Sequence, residues 1–310
     1  MFVGSKRLRR AGMIAAVSAV FCVGLTVPAA SSFAATRPAA TSSPAVSPHA
    51  PSYLALGDSV TFGYREPTTV PPPNYADAAS FVGYPEDIGA ALGWHVANAS
   101  CPGETSASLI VENVQSNGCE NSPGGGPGYR TVFPLHVSYK GTQLQYAVRY
   151  LRAHPATRLV SLMIGANDAF LCEETTKDGC VSELGAVLKQ ISYNVADILT
   201  VIRNDARYTG EIIILNYYSL DYANATDNAE SILLNRAMDG GARPFHVRIA
   251  NGYAAFEKAA LQSGDNTCTA GLLTQLSTGG CGVHPSVAGQ AVLALAVERE
   301  IAAAAVPAQR

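Results

Sequence analysis

The sequence feature that most constrains the fold is the alternation of short, mostly apolar runs with longer helical patterns. Residues 158–164 (RLVSLMI) and 211–216 (EIIILN) are the clearest of these runs, and residues 53–56 (YLAL) form an earlier one. A continuous apolar run of this length is typical of a strand that is buried on both faces of a parallel sheet. The pattern therefore predicts an α/β fold with three layers, in which helices cover both faces of the sheet.

The remaining elements follow from the same periodicities. Strands are expected at 53–56, 95–98, 158–164 and 211–216, with a possible edge strand at 246–250, which gives a mainly parallel sheet of about five strands. Helices are expected at 77–92, 142–152, 183–204, 228–238, 253–261 and 285–303. Two long loops, 64–75 and 115–141, interrupt the pattern, and long loops are often functional or disordered. Their Tyr and Phe residues either line a substrate cleft or are solvated decoration.

The first 51 residues have the composition of an export signal followed by a linker. Four basic residues within the first ten precede an apolar run and then small residues up to Ala34 and Ala35, which predicts a signal peptide at 1–35. The apolar run is too short for a stable membrane anchor. Residues 36–51 are rich in Ala, Ser and Pro and are expected to be a disordered linker, so the folded domain is placed at 52–310. We therefore expect a secreted protein.

Charge and cysteine usage narrow the possible partners. Without the signal peptide, 17 Lys and Arg face 24 Asp and Glu, a net charge of −7, which argues against a nucleic-acid partner. Six cysteines remain in the exported chain, with no CxxC pair and no cluster of histidines, so disulfides are favoured over a metal site. The spacing favours three local pairs: Cys101 with Cys119, Cys172 with Cys180, and Cys268 with Cys281.

Small polar residues follow three of the predicted strands. They are Gly57-Asp58-Ser59, residues 98–105 and residues 165–168. Ligands of open parallel sheets bind beyond the carboxyl ends of the strands, so these residues are expected to share one site. Together with His284 they provide the parts of an acyl-transfer centre. Ser59 is the candidate nucleophile and His284 the candidate base, while the N–H groups of Ser59 and Gly103 and the amide of Asn167 form a candidate oxyanion hole.

These residues resemble the motifs of the GDSL esterases and lipases, also called SGNH hydrolases. The matching residues are 54–59 (LALGDS), Gly103, 165–168 (GAND) and His284-Pro285, in the family's order. The resemblance implies a flavodoxin-like α/β/α fold, no cofactor and the hydrolysis of carboxylic esters. It leaves open a small ester or lipid substrate, an acetylated polysaccharide of the acetylxylan type, or a binding module that has lost activity. We expect a monomer.

The sequence departs from the family pattern at one position. The family has an Asp three residues before the His, where this chain has Cys281. Asp58 and Asp168 are interpreted as acceptors in turns, and His136 and His246 are weaker candidates for the base than His284. The sequence suggests a Ser59–His284 dyad in which a main-chain carbonyl near Cys281 or Gly282 replaces the acid, with Asp265 as the alternative.

Overall fold

A five-stranded, fully parallel sheet forms the centre of the chain in the computed structural model, which describes residues 50–305. The strands are β1 (Ser52–Gly57), β2 (His95–Asn98), β3 (Thr157–Met163), β4 (Glu211–Leu215) and β5 (Arg248–Ala250), in the order β2-β1-β3-β4-β5. This is the flavodoxin-like strand order. The predicted signal peptide and all but the last two residues of the predicted linker lie outside the described residues.

Nine α-helices of the described chain connect and cover the strands. They are α1 (Ser59–Phe62), α2 (Tyr84–Leu92), α3 (Tyr129–Val132), α4 (Gln143–Ala153), α5 (Ala166–Thr175), α6 (Leu184–Asn204), α7 (Ala225–Ala242), α8 (Gly252–Ala260) and α9 (Val287–Ala305). Helices α4, α5 and α7 pack on α6, whereas α2 and α8 pack on α9. These two groups are the outer layers, and the predicted three-layer α/β/α fold is confirmed. Among the helices of residues 50–305, none is long and apolar enough to cross a membrane.

The core lies between the sheet and the helices. Leu54, Val160 and Ile213 lie on the three central strands and are completely buried, as are Ile191 and Ile198 of α6. Burying an aliphatic side chain of this size contributes about 1.5–3 kcal/mol relative to leaving it exposed. The continuous apolar strands thus favour a sheet that is covered on both sides.

At two predicted helix starts the chain forms a different element. The expected helix at 77–92 is a short 3-10 helix (Ala78–Ser80) followed by α2, which starts at Tyr84 because Gly83 caps it and Pro85 suits the first turn. The expected helix start at Pro285 is also displaced. Pro285 ends a strand, β7 (Cys281–Pro285), which pairs in antiparallel fashion with β6 (Leu273–Gln275), and α9 follows at Val287.

Disulfides close three local loops. The pairs are Cys101–Cys119, Cys172–Cys180 and Cys268–Cys281, as the spacing predicts. The second joins the end of α5 to the segment before α6, and the third ties β7 to the segment before β6. The predicted pairing is therefore confirmed.

Candidate active site

The carboxyl edge of the sheet brings the predicted residues into one cavity of about 530 Å³. Strands β1 and β3 end side by side, with Gly57 opposite Met163, and each is followed at once by a helix. Ser59 therefore begins α1 and Asn167 lies in the first turn of α5. Ser59, Asn167, Gly103 and His284 all line the cavity.

Ser59 and His284 are in hydrogen-bond contact. The Nε2 atom of His284 lies 2.9 Å from the Oγ atom of Ser59. Ser59 is 9% exposed and lines the cavity. This is the distance at which a histidine can take the proton of a serine nucleophile.

The second nitrogen of His284 faces a carboxylate. Its Nδ1 atom lies 2.8 Å from Oε1 of Glu66. The prediction that a main-chain carbonyl near Cys281 or Gly282 accepts this proton is therefore wrong, and the alternative acid Asp265 is wrong as well. A carboxylate holds the imidazole in the tautomer whose Nε2 can accept a proton, and it also stabilises the imidazolium.

Glu66 is held in place by four donors. Its Oε1 accepts from the N–H of Val283 at 3.0 Å as well as from His284. Its Oε2 accepts from the hydroxyls of Thr274 at 2.6 Å and Thr69 at 3.3 Å. Burial would raise the pKa of Glu66, but the hydrogen bond and charge of His284 and the hydroxyl of Thr274 lower that pKa to about 2.

The loop that carries Glu66 reaches His284 because it pairs with the β6–β7 hairpin. The N–H of Val70 donates to the carbonyl of Gln275 at 2.9 Å, and the N–H of Ser277 donates to the carbonyl of Thr68 at 2.7 Å. Gly282 then leaves room for the carboxylate, since a Cβ there would lie 2.1 Å from Oε1 of Glu66. The hairpin thus carries His284, and its backbone binds the loop that carries Glu66.

Glu66 is the site residue that sequence reasoning missed. It lies 218 residues from His284 along the chain, and no local motif marks it. One signal was present: Glu66 is the only carboxylate in the loop at 64–75, which follows the strand that leads to Ser59. That loop leaves the same sheet edge at which the other site residues lie.

The candidate oxyanion donors surround the cavity near Ser59. Gly103 has φ +82°, and a Cβ there would lie 2.5 Å from the carbonyl oxygen of Asn117, so only glycine fits. The Oδ1 atom of Asn167 accepts from Nδ2 of Asn117 at 3.3 Å. This contact leaves the Nδ2 atom of Asn167 as the free donor of its amide.

Asp58 and Asp168 act as local acceptors, as predicted. Asp58 caps α1 by accepting from the N–H of Val60 at 2.9 Å, and its other oxygen accepts from the hydroxyl of Tyr217 at 2.5 Å. Asp168 accepts from the N–H and hydroxyl of Ser106 at 2.7 and 2.6 Å. Burial raises the pKa of each aspartate to about 6.

Aromatic side chains from both long loops form one wall of the site. The ring of Tyr64 meets the ring of His284 edge to face, with centroids 4.8 Å apart, and Tyr129 also lines the cavity. Tyr129 forms a second apolar cluster with Phe62 and Phe81, and Tyr64 packs against that cluster. The loops therefore line the cleft, one of the two predicted alternatives.

The cavity lining also includes apolar and acidic side chains besides the group around Ser59. The apolar lining includes Phe170 of α5, Leu234 of α7 and Leu220 between β4 and α7. Glu174 and Glu230 belong to the same lining. An apolar lining with a few polar groups is typical of a site that binds a small organic ligand.

One further cluster has the spacing of a metal site. Within residues 50–305, Cys101, Glu104 and Cys119 alone bring three candidate ligand atoms close together. The two sulfur atoms are bonded to each other in a disulfide and are not available as thiolates.

Comparison with known proteins decides the family. The family model of the GDSL-like lipases and acylhydrolases matches residues 55–292, which is most of the chain. The chain belongs to this family. No curated protein sequence matches the chain.

Solved structures of similar fold support the topology of this family member. The phospholipase A1 from Streptomyces albidoflavus NA297 has a TM-score of 0.52 at 20% identity, covering 81% of this chain and 99% of that one. Axe2, an acetylxylan esterase from Geobacillus stearothermophilus, has a TM-score of 0.51 at 18% identity, covering 81% and 94%. At these identities the likeness shows the shared fold.

Proposed function

We propose that this protein is a serine hydrolase that cleaves carboxylic esters. The observation that carries the proposal is the continuous chain of contacts from Ser59 through His284 to Glu66, at the edge of a cavity that also contains Gly103 and Asn167. Membership of the GDSL-like lipase and acylhydrolase family supports the same chemistry. The presence of all these parts argues against the inactive binding module.

In the first half of the proposed reaction Ser59 is acylated. Its Oγ atom attacks the ester carbonyl carbon while Nε2 of His284 takes the hydroxyl proton. The tetrahedral intermediate breaks the bond between carbon and the alcohol oxygen, and Nε2 returns the proton to the departing alcohol. The Nδ1 proton stays on His284 throughout, and the Glu66 carboxylate that accepts its hydrogen bond stabilises the imidazolium that exists between these transfers.

The second half releases the acid. A water molecule gives a proton to Nε2 of His284 as its oxygen attacks the acyl carbon. Collapse of this intermediate breaks the bond to Oγ, and the proton returns to Ser59. In both halves the N–H groups of Ser59 and Gly103 and the amide of Asn167 stabilise the oxyanion, each such donor contributing about 2.7–4 kcal/mol in well-studied hydrolases.

The cavity lining favours a substrate with an apolar portion. Phe170, Leu220 and Leu234 give it room for an acyl chain or an apolar alcohol, whereas an acetyl group would leave most of the 530 Å³ unfilled. We therefore propose a small apolar ester or lipid as the substrate. Removal of acetyl groups from polysaccharide is the alternative, consistent with the name of the Geobacillus neighbour.

We also propose that the protein is secreted and acts as a monomer without cofactor. Three disulfides in one domain support an oxidising compartment. The signal peptide predicted at 1–35 also supports secretion.

A fluorophosphonate probe tests the proposed function. We expect mass spectrometry to find the adduct on Ser59 in the folded wild type and no adduct in Ser59→Ala. A panel of p-nitrophenyl esters from acetate to decanoate, run beside acetylated xylan, then separates the two substrate classes. Absence of labelling in folded wild type would disprove the hydrolase, and turnover confined to acetylated xylan would favour the deacetylase.

A further inference from the structure

Asn117 contacts both oxyanion donors that do not belong to the nucleophile. Its backbone N–H donates to the carbonyl of Gly103 at 2.8 Å, and its side-chain Nδ2 donates to Oδ1 of Asn167 at 3.3 Å. Asn117 is half-buried and lines the same cavity as Ser59. One residue thus joins the loop after β2 to the first turn of α5.

The side-chain contact decides which end of the Asn167 amide faces the substrate. An asparagine amide has an acceptor oxygen and a donor nitrogen of nearly equal size, and rotation about its last torsion exchanges them. The donor of Asn117 draws Oδ1 to its own side, which leaves Nδ2 for the cavity. Without this donor, the Asn167 oxygen can turn toward the oxyanion, where two negative partial charges would repel each other.

We propose that Asn117 is a positioning residue that fixes Asn167 as a hydrogen-bond donor to the oxyanion. The inference rests on the proposed function, because it concerns the same transition state. Asn117 itself contacts the neighbouring donors and acts through them.

The loop that carries Asn117 is built to keep this contact. The disulfide of Cys119 with Cys101 anchors it two residues later. The side-chain oxygen of Asn121 accepts from the N–H of Ser116 at 2.9 Å, and the backbone carbonyl of Asn121 accepts from the N–H of Gly118, also at 2.9 Å. The residues on either side of Asn117 are therefore fixed independently of its side chain.

A double-mutant cycle tests the proposal with steady-state kinetics on a p-nitrophenyl ester. Asn117→Ala removes the amide but keeps the backbone N–H that holds Gly103. We expect kcat to fall about 10- to 100-fold, while KM changes less than about twofold. This loss of kcat is smaller than the loss caused by removing a whole oxyanion donor. In the Asn167→Ala background the same change should have almost no effect, because the amide that it orients is gone.

Two further measurements separate positioning from simple packing. The inhibition constant of a trifluoromethyl ketone, which forms a tetrahedral adduct on a serine, should rise in Asn117→Ala in proportion to the loss of kcat/KM. Asn117→Asp keeps the size of the side chain but removes the donor, so it should not restore activity. The melting temperature of each variant shows whether the fold is kept.

The outcomes are distinct for the two proposals. Equal losses from Asn117→Ala in the wild-type and Asn167→Ala backgrounds, or unchanged kcat in a folded Asn117→Ala, would overturn the positioning role while fluorophosphonate still labels Ser59. If the wild type is not labelled at Ser59, the protein is not a serine hydrolase, and both proposals are overturned.

Discussion

Gly282 shows at the scale of one residue how the site accommodates its acid. A Cβ at this position would lie 2.1 Å from Oε1 of Glu66 and 2.5 Å from Oγ1 of Thr274. The backbone is in an ordinary conformation, so the requirement for glycine is one of space. Cys281, at the position where the family has its Asp, forms a disulfide with Cys268, and the carboxylate on His284 comes instead from Glu66 in the loop at 64–75.

Gly282→Ala should therefore displace Glu66 and lower activity. We expect kcat/KM to fall by about 10- to 10³-fold, toward the loss caused by removing the acid of a triad. Gly282→Ala should cause little further loss of kcat/KM when Glu66 is already Gln, because both substitutions disrupt the same contact between Glu66 and His284. Gly185→Ala is the matched control, since a Cβ there meets open space in α6, and it should leave kcat/KM unchanged.

Glu104 predicts a pH dependence of stability. It is completely buried between the hydroxyl of Ser108 at 2.5 Å and the amide of Gln143 at 3.0 Å. Burial raises the pKa of Glu104 from 4.5 to about 8 in the folded protein. Between these pH values the folded protein holds a proton that the unfolded chain releases, so stability falls as the pH rises through this window.

Glu104→Gln keeps the size of the protonated side chain and removes its titration. Relative to wild type, its free energy of unfolding should increase as the pH rises from about 4.5 to 8, and the two proteins should converge below that window. Urea unfolding at several pH values measures the difference. Glu257→Gln, at an exposed position of α8, is the control. A constant difference between Glu104→Gln and wild type would show that Glu104 does not bind the proton on folding.

At the scale of elements, the sequence predicts the sheet well and the hairpin not at all. The strands around residues 54, 160 and 213 are apolar on both faces, which is a strong local signal. Strand β6 has three residues, and β7 contains both Gly282 and Pro285, so neither has a strand pattern. Their pairing depends on contacts with a loop more than 200 residues away. Glu66 could not be found from local sequence for the same reason.

The Cys268–Cys281 disulfide should support catalysis as well as stability, because it ties the hairpin that carries His284. Replacing both cysteines by Ser should cost about 2–4 kcal/mol and also lower kcat in the protein that remains folded. The control pair is Cys172 with Cys180, which joins α5 to the segment before α6. Its replacement should lower stability with a smaller change in kcat. Chemical denaturation and steady-state kinetics measure both, and equal effects on kcat would contradict this role of the hairpin.

At the scale of the whole molecule, the cavity is lined both by residues at the carboxyl edge of the sheet and by residues of α5 and α7. The parallel topology alone places Ser59 and Asn167 together, which explains why motifs in the sequence were enough to predict them. The apolar lining from Phe170 and Leu234 depends on how α5 and α7 pack, and no sequence motif predicts that packing. Sequence reasoning therefore predicted that Ser59 and Asn167 lie close together, but it did not predict the apolar lining of the cavity.

Leu234→Trp should narrow the apolar part of the cavity and shift substrate preference toward short acyl groups. Leu234 is buried and lines the cavity, whereas its neighbour Leu233 is 37% exposed and does not. We expect the ratio of kcat/KM for decanoate to that for acetate to fall about tenfold or more in Leu234→Trp. Leu233→Trp should leave the ratio unchanged. An unaltered ratio in Leu234→Trp would place the acyl chain elsewhere.

The most direct test of the central claim is the kcat/KM of Glu66→Gln beside that of Asp265→Asn. Both substitutions neutralise one carboxylate and keep its shape, but only Glu66 contacts His284. If Glu66 is the acid of a triad with Ser59 and His284, Glu66→Gln should lose about 10²- to 10⁴-fold in kcat/KM, and Asp265→Asn should keep the wild-type value. Full activity in a folded Glu66→Gln, or a comparable loss in Asp265→Asn, would contradict the account.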